Sequence, residues 1–391
     1  MLRSAVNKLF IFLSTLSFTA IILIFVFLIS QICIQGYKSF TTYKIKLPAE
    51  IYYSDKKVTS DVAIDHLTDK SKAELIRSKL DIKKTQVQDI VNINSLLDHN
   101  YSNRSADGKV FWVNVSGDLE KFLKSKEDTY INKETTDFVL SLIQKEIIKQ
   151  FYNFEFFTNN NSSDPQNTGI GQAIKGSVYS IIICMLFALP IGLSTSIFIN
   201  FYLKNSLKKR LLISHLNNLS SLPSVIYGVI GLYLFVNLMY IPRSSIFIAG
   251  LTLSLLATPM IIVISSNSFN LVDKSQIAAA YAIGLSKIQV ILFHIIPQSA
   301  PMILTGTILT ISRVMGETAP LIMIGMIAYI SAPTNSVIDP GSTLPVQIYS
   351  WINNPDPAFI SKASLAIMSL LLFILALNML ASLIKKYAQG S

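Results

Sequence analysis

Residues 273–301 read DKSQIAAAYAIGLSKIQVILFHIIPQSAP and join a polar loop to an apolar helix. Two adjacent alanines, a glycine and an Ile-Pro pair stand in this stretch at Ala279-Ala280, Gly284 and Ile296-Pro297. Glycine tolerates the left-handed backbone of a helix stop, so the pattern predicts a short helix that ends at Gly284. A second helix is predicted to begin near Ser286 and to run into Pro297.

Small side chains on the first of these helices suggest a contact surface. Ala278, Ala279 and Ala280 would let another protein approach the helix backbone closely. Two short helices held across a membrane face can transmit a push from a soluble partner, so we interpret residues 278–297 as a docking element. The alternative interpretation is an alanine-rich amphipathic loop without a partner.

Composition places the chain among membrane proteins. Its 391 residues are 51% hydrophobic and 14% charged, with a mean hydropathy of +0.48, which is typical of a multispanning membrane protein. Residues 37–172 hold 19 basic and 19 acidic residues, so the net charge of +10 lies on the rest of the chain. Basic residues on short connections between apolar runs indicate membrane topology and not a nucleic-acid interface.

Six apolar stretches are long enough to cross about 30 Å of hydrocarbon as helices. They are residues 9–34, 174–201, 217–239, 246–267, 299–330 and 363–384. The first stretch is too long for a typical signal peptide and no A-x-A-like site follows it, so we expect an uncleaved anchor. Basic residues cluster before the first stretch and after the second, fourth and sixth, which predicts that both termini are cytoplasmic.

The polar region between the first two stretches, residues 37–172, is then predicted to lie outside the membrane as an α+β or mainly helical domain. Amphipathic periodicity predicts helices, and alternation at KVFWVNV predicts a strand. The predicted helices are 61–80, 82–98 and 134–151, and the strand is 109–115. Residues 158–168, TNNNSSDPQNT, have the composition of a flexible tether.

Residues 311–320, ISRVMGETAP, place two charges inside the fifth apolar stretch. A charge at membrane depth costs at least about 2.5–3.5 kcal/mol on insertion scales, so it indicates a functional site by default. On one helix Arg313 and Glu317 would share a face and pair, with Gly316 allowing an ion or helix close to the backbone. The alternatives are a translocation path, in which Arg313 binds an oxyanion, and a structural salt bridge.

No GxxxxGK[ST] loop, nucleophile–base arrangement or metal-ligand spacing is present in the sequence. We therefore expect a pathway-forming subunit, without a catalytic or metal site and without its own cofactor, that depends on a separate ATP-hydrolysing protein.

The loop at 273–297 resembles the EAA loop of ABC-transporter permeases, which docks on the ATPase subunit. Ala278 stands where that family has its usual glutamate, and Asp273 where phosphate permeases often have proline. Three further motifs make the region from about 170 onward similar to PstA, the permease of bacterial phosphate-specific ABC importers. They are LPSVIYGVIGL at 222–232, RVMGETAPL at 313–321 and LPVQIYSW at 344–351, the last followed by NPDP.

The resemblance implies a six-span permease of the ABC type I importer kind in the bacterial inner membrane. Residues 1–36 would form the cytoplasmic end and first span, 37–172 a periplasmic domain with its tether, and 173–391 the permease with its coupling loop at 268–297. The first two segments are similar to an extension of some alphaproteobacterial members. The implied partners are the second permease PstC, a dimer of the ATPase PstB, which carries ATP and Mg²⁺, and the phosphate-binding protein PstS.

Two other functions stay open on the sequence. A permease for sulfate or molybdate would share the docking loop but should lack RVMGETAP and LPVQIYSW. A membrane sensor would account for the outer domain but not for the docking loop.

Overall fold

The computed structural model describes residues 2–48, 110–125, 133–203, 207–326 and 336–390. The chain divides into two compact units. The first comprises Met1–Phe157, Ser162–Thr168 and Pro355–Leu365, and the second comprises Thr158–Asn161, Gly169–Asn354 and Ala366–Ser391.

The first unit begins with one long helix, α1 (Leu2–Phe40), that leads directly into a small antiparallel sheet. The strands are β1 (Thr41–Pro48), β2 (Val110–Asn114) and β3 (Ile148–Tyr152), in the order β2-β1-β3. Helices α2 (Gly117–Ser125) and α3 (Lys133–Gln144) accompany the sheet. Apolar side chains from strands and helices form its core, namely Ile45, Val113, Val115, Leu119, Val139, Leu142, Ile148 and Phe156.

The structure confirms the strand predicted at 109–115 and corrects the helix predicted at 134–151. That helix ends at Gln144, and a strand follows it. The chain turns at Glu146, whose φ of 57° lies in the left-handed region, and the strand then pairs with β1 in the register Ile45↔Ile148. The helices predicted at 61–80 and 82–98 lie outside the described residues.

Residues 162–168 form an ordered, hydrogen-bonded segment and not a free tether. The Ser162 N–H donates to Thr168 Oγ1 at 3.0 Å, and the Gln166 N–H donates to Asp164 Oδ1 at 3.0 Å. Side chains of this segment also reach β2 and α2, where Asn114 donates to Asn167 Oδ1 and Gln166 donates to Glu120 Oε2.

Long apolar helices make up the second unit. They are α4 (Gly171–Ile197), α5 (Leu207–Ser220), α6 (Ser224–Gly231), α7 (Ile246–Asn270), α8 (Lys274–Ala282), α9 (Lys287–Val290), α10 (Ile296–Met315), α11 (Ala319–Met323), α12 (Leu344–Ile352) and α13 (Ala358–Gly390), whose first turns belong to the first unit. Three π-helical segments extend α4, extend α6 and join α9 to α10. They are Phe198–Tyr202, Leu232–Leu238 and Ile291–Ile295.

Within the described residues, five helices are long and apolar enough to cross a membrane, or six if one bent pair counts as a single span. The five are Phe10–Phe40, Gly171–Tyr202, Ile246–Asn270, Lys287–Met315 and Ala358–Tyr387. The prediction of a polytopic helical membrane protein is confirmed. The fifth stretch, predicted at 299–330, begins earlier and its helix already ends at Met315.

The bent pair corrects the single span predicted at 217–239. The segments Lys209–Ser220 and Ser224–Leu238 meet at 95°, because Pro223 caps α6 and cannot continue the preceding helix. Carbonyls freed at the bend gain side-chain donors. Tyr227 Oη donates to Leu219 O at 2.6 Å, and Ser220 and Ser221 donate to carbonyls three residues back. The break is thus satisfied internally, as membrane depth requires.

The most buried span is α7, with 72% of its apolar window inside the protein. Its side chains meet those of α4, α6 and the segment after α10 in one core cluster. Fully or nearly fully buried members include Cys184, Ala188, Tyr227, Ile248, Leu253, Ile261, Val314 and Leu321. Cys184 is therefore an apolar packing residue.

Two of the sequence motifs touch at Gly228, where α6 packs against α11. A Cβ on Gly228 would lie 2.7 Å from Pro320 Cα and 2.8 Å from Pro320 O. Both partner atoms belong to the backbone and have little room to move. Glycine at this position is what allows LPSVIYGVIGL and RVMGETAPL to approach so closely.

We expect Gly228→Ala to destabilise the membrane unit by about 1–3 kcal/mol, the usual cost of overpacking a close contact. The measurement is the midpoint of thermal unfolding of the purified protein in detergent. Gly316→Ala is the matched control, since its added Cβ would meet nothing nearer than Arg313 O at 3.6 Å. Equal midpoints for the two variants would contradict the close contact.

Candidate functional site

The residues that follow α7 form the predicted helix–glycine–helix element. Asp273 caps α8, and Gly284 has a φ of 87° after its end. A capping box between Ser286 and Gln289 then starts α9. The predicted stop at Gly284 and the restart near Ser286 are confirmed, and the second helix continues past Pro297 to Met315.

A small apolar core holds this element against the membrane helices. Ala280 is buried, with 3% of its surface exposed, and belongs to the same cluster as Phe269, Val290 and Ile295. Lys287 Nζ lies 4.5 Å from the centre of the Tyr202 ring at the end of the second span. The short helix is therefore fixed to the ends of three spans, so a force on it would move them.

The five residues predicted to dock a partner divide into two sets. Ala278, Ala279, Gly284 and Pro297 are exposed, whereas Ala280 faces the core. A Cβ on Gly284 would have no atom within 4 Å, so the space beside it is open to a partner.

Exposed large apolar side chains next to these residues were missed by the sequence reasoning. Tyr281, Ile283 and Ile288 are 44%, 78% and 59% exposed. Exposed apolar side chains grouped on one surface are typical of a protein-contact site. The sequence does contain a sign of this surface. Ile283 and Leu285 flank the helix stop at Gly284, where polar residues are usual.

Asp273 stabilises the start of α8 through two bonds. Its Oδ1 accepts from the Ser275 N–H at 2.9 Å and its Oδ2 from Ser275 Oγ at 2.8 Å. These two hydrogen bonds hold the pKa of Asp273 below its usual range, and the bond from the Ser275 backbone N–H has the larger effect. Asp273 is thus the N-terminal cap of α8.

The charged pair at the far end of α10 is not the predicted i,i+4 helical pair. Helix α10 ends at Met315, and Gly316 follows as its C-cap with φ −86° and ψ −6°. The Gly316 N–H bonds to Arg313 O at 3.2 Å, and the Glu317 N–H bonds to Val314 O at 3.1 Å. Among the described residues no salt bridge within 4.0 Å joins Arg313 to Glu317.

Arg313 and Gly316 are both exposed, and Glu317 is half-buried. Hydroxyl groups that precede Arg313 on α10 bond to carbonyls of their own helix, as Thr310 does to Gly306 O and Ser312 to Ile308 O. Those hydroxyls are satisfied, while the guanidinium makes no ion pair with the described part of the chain. An exposed guanidinium group beside a helix end can bind an oxyanion by donating two parallel hydrogen bonds to its oxygens.

The two candidate sites lie at opposite ends of one continuous helical segment. Lys287–Met315 is 29 residues long, or about 43 Å at the helical rise. Gly284 lies just before it and Arg313 near its end, so the structure connects the two sites and does not bring them together.

The third motif, LPVQIYSW, serves packing at a different place. It forms α12, where Trp351 Nε1 donates to Asn161 Oδ1 at 3.1 Å and Gln347 Nε2 donates to Gly169 O at 2.9 Å. The Leu344 N–H donates to Ser177 Oγ at 2.8 Å. This motif ties α12 to the start of α4.

Residues 188–389 match the sequence profile of the family described as binding-protein-dependent transport system inner membrane component. A probable ABC transporter permease protein, YqgI, of Bacillus subtilis is 28% identical over 250 residues, covering 60% of this chain and 84% of that protein. The phosphate transport system permease protein PstA of Yersinia pestis is 30% identical over 226 residues, covering 56% and 74%.

Two further comparisons are more limited. A PstA homolog of Mycoplasma pneumoniae is 29% identical over 187 residues, which cover 46% of this chain but only 28% of that protein. An inward-facing structure of the MetNI methionine ABC transporter overlaps 56% of this chain and 94% of its own, with 15% identity and a TM-score of 0.43.

We expect the Asp273 cap to give the protein a pH-dependent stability term. Its folded-state pKa is lowered, so the stabilisation is present above the unfolded pKa of about 3.9 and is lost as the pH falls through the folded value. Thermal midpoints of the wild type and Asp273→Ala should therefore converge in acid. Asp273→Asn keeps an acceptor without a charge, and its difference from Asp273→Ala should not depend on pH. Parallel curves for all three proteins would contradict the assignment.

Proposed function

Because this chain belongs to the binding-protein-dependent transport system inner membrane component family, we propose that it is a permease subunit that carries inorganic phosphate across the bacterial inner membrane. The PstA relatives named above and the three motifs that resemble PstA support phosphate as the substrate. One observation carries the proposal: the helix–glycine–helix element continues into a helix whose other end presents an exposed arginine that makes no ion pair with the described residues.

The docking element would receive the mechanical stroke of a partner ATPase. Ala278, Ala279, Gly284 and Pro297 would line the contact together with Ile283 and Ile288, all of them exposed. Closure of two ATPase subunits, in the manner of PstB, would push α8, and the core around Ala280 would pass that movement to the spans. ATP and Mg²⁺ belong to that partner, and this chain has a transport role and not an enzymatic one.

The substrate path would include Arg313, Gly316 and Glu317. A planar, permanently charged guanidinium matches two phosphate oxygens. Glu317 follows the helix end and would accept the proton of hydrogen phosphate or orient the arginine. No salt bridge joins Arg313 to Glu317 among the described residues. This favours a role in the translocation path over a structural salt bridge.

The domain arrangement follows from this function. Residues 1–36 would form the cytoplasmic end and first span, 37–172 the periplasmic part, and 173–391 the permease proper. Both termini would be cytoplasmic, as the basic connections indicate. A second permease like PstC would complete the channel, and a binding protein like PstS would deliver phosphate from the periplasm.

We expect Arg313→Lys to lower phosphate uptake by about tenfold or more, since a charged hydrogen bond is worth about 1.5–3 kcal/mol. Uptake of labelled phosphate by cells, with sulfate as competitor, is the measurement. Arg210→Lys, at another exposed arginine, is the matched control and should transport normally. If the Arg313→Lys complex comes apart on purification, Arg313 has a structural role, as in the salt-bridge alternative. Competition by sulfate would identify a different oxyanion permease.

We expect Gly284→Leu to abolish transport-stimulated ATP hydrolysis, because its side chain would fill the space left for the partner. The left-handed φ also costs a non-glycine residue about 1–2 kcal/mol. Gly284→Asn separates the two effects, since asparagine adopts this backbone more readily, and it should retain more activity. Normal ATPase stimulation in Gly284→Leu would exclude the docking role.

A further inference from the structure

Three exposed aromatic side chains surround the end of α1 where it meets the sheet. Tyr37, Tyr152 and Phe154 are 64%, 62% and 66% exposed. The rings of Tyr152 and Phe154 pack on Phe40, whose ring centre lies 5.5 Å from that of Tyr152 and 5.7 Å from that of Phe154, and Tyr37 lies one helical turn before Phe40. We define these four residues as the aromatic collar. Large exposed apolar rings grouped in one region are typical of a contact surface.

Backbone bonds fix the collar to the end of the first span. The Asn153 N–H donates to Phe40 O at 2.8 Å, and Thr41 is the register partner of Tyr152. Helix α1 is continuous from Leu2 to Phe40. The height of the collar above the hydrocarbon is therefore set by the helical rise.

The apolar run of α1 ends at Ile34. Tyr37 stands about 4.5 Å and Phe40 about 9 Å farther along the axis, and a headgroup layer is about 5–7 Å thick. Tyr37 therefore falls within the headgroup layer, and Phe40 lies just beyond it, at a distance that an aromatic side chain can bridge.

A second helix gives the same level independently. Ser364 Oγ donates to Gln35 Oε1 at 3.0 Å, and a Cβ on Gly36 would lie 3.3 Å from Leu365 Cα. The uncharged run of α13 begins just after Lys362. Both helices thus enter the apolar layer at the height of Gly36.

We propose that the aromatic collar is a membrane-contact surface, with Tyr37, Tyr152 and Phe154 inserted among the phospholipid headgroups of the leaflet that the end of α1 reaches. Aromatic rings with one apolar and one polar part favour this zone. The exposed Lys38 lies on the same turn, where its ammonium group can meet lipid phosphates. The Thr41 end of β1 would then lie at the membrane surface, and the strand would lead away from it toward Lys46.

Tryptophan reporters test the proposal in the full-length protein. Phe154→Trp, Tyr152→Trp and Tyr37→Trp are placed in lipid nanodiscs made with phosphatidylcholine brominated near the headgroup end of its chains, and in unbrominated discs. The measured quantity is the ratio of tryptophan emission in brominated discs to that in unbrominated discs. We expect this ratio to be lower for the three variants than for the wild type, in which Trp112 and Trp351 supply the background emission. Three reporters keep the test valid if one variant does not fold.

Lys46→Trp is the control, because Lys46 is exposed on β1 and lies about 16 Å farther along the strand than Thr41. It should show the wild-type ratio of emission. Collar reporters that match Lys46→Trp would overturn the proposal. So would unquenched collar reporters whose emission changes when a purified periplasmic phosphate-binding protein is added, since that result would identify a protein-docking surface.

Discussion

Inside a bilayer no water replaces a lost hydrogen bond, so every interruption of a helix needs a protein group in its place. The bend between α5 and α6 satisfies this requirement with Tyr227 and two serines. The end of α10 satisfies part of it through turn bonds to Arg313 O and Val314 O. At these two breaks in the described part of the chain, side chains or tight turns complete the irregular backbone.

Close glycine contacts hold these interruptions together. Gly228 lets α6 lie against the backbone of Pro320 on α11, so the bend and the helix end form one packed region. On the far side, Ala280 and Val290 lock the docking element to the ends of the spans. A movement of either end of Lys287–Met315 would therefore displace the helices packed against that end. Small displacements become larger rearrangements in this way.

Sequence reasoning succeeded where a local rule controls the backbone. Gly284 and Ser286 stop and start helices by their own chemistry, and the strand at 110–114 follows from alternation. It failed where partners distant in sequence decide. Strand β3 exists because β1 pairs with it, and the Arg313–Glu317 pair assumed a helix that stops at Met315. Hydropathy averaging also concealed the bend at Pro223, although the Ser-Ser-Leu-Pro sequence signals it.

The π-helical segment Ile291–Ile295 makes the relation between the two sites a matter of rotational phase. Its bonds reach one residue farther than those of an α-helix, so it inserts one residue into the turn. Removing that residue together with the π-turn would restore a plain α-helix and leave the helix beyond it close to its present rotation, because a π-turn needs one residue more than an α-turn to turn as far. Removing a residue from the regular α-helix between Ile296 and Arg313 would instead rotate Arg313 by about 100° relative to the docking element. A single-residue gap there between relatives would thus mark a permease in which the same arginine faces a different neighbour.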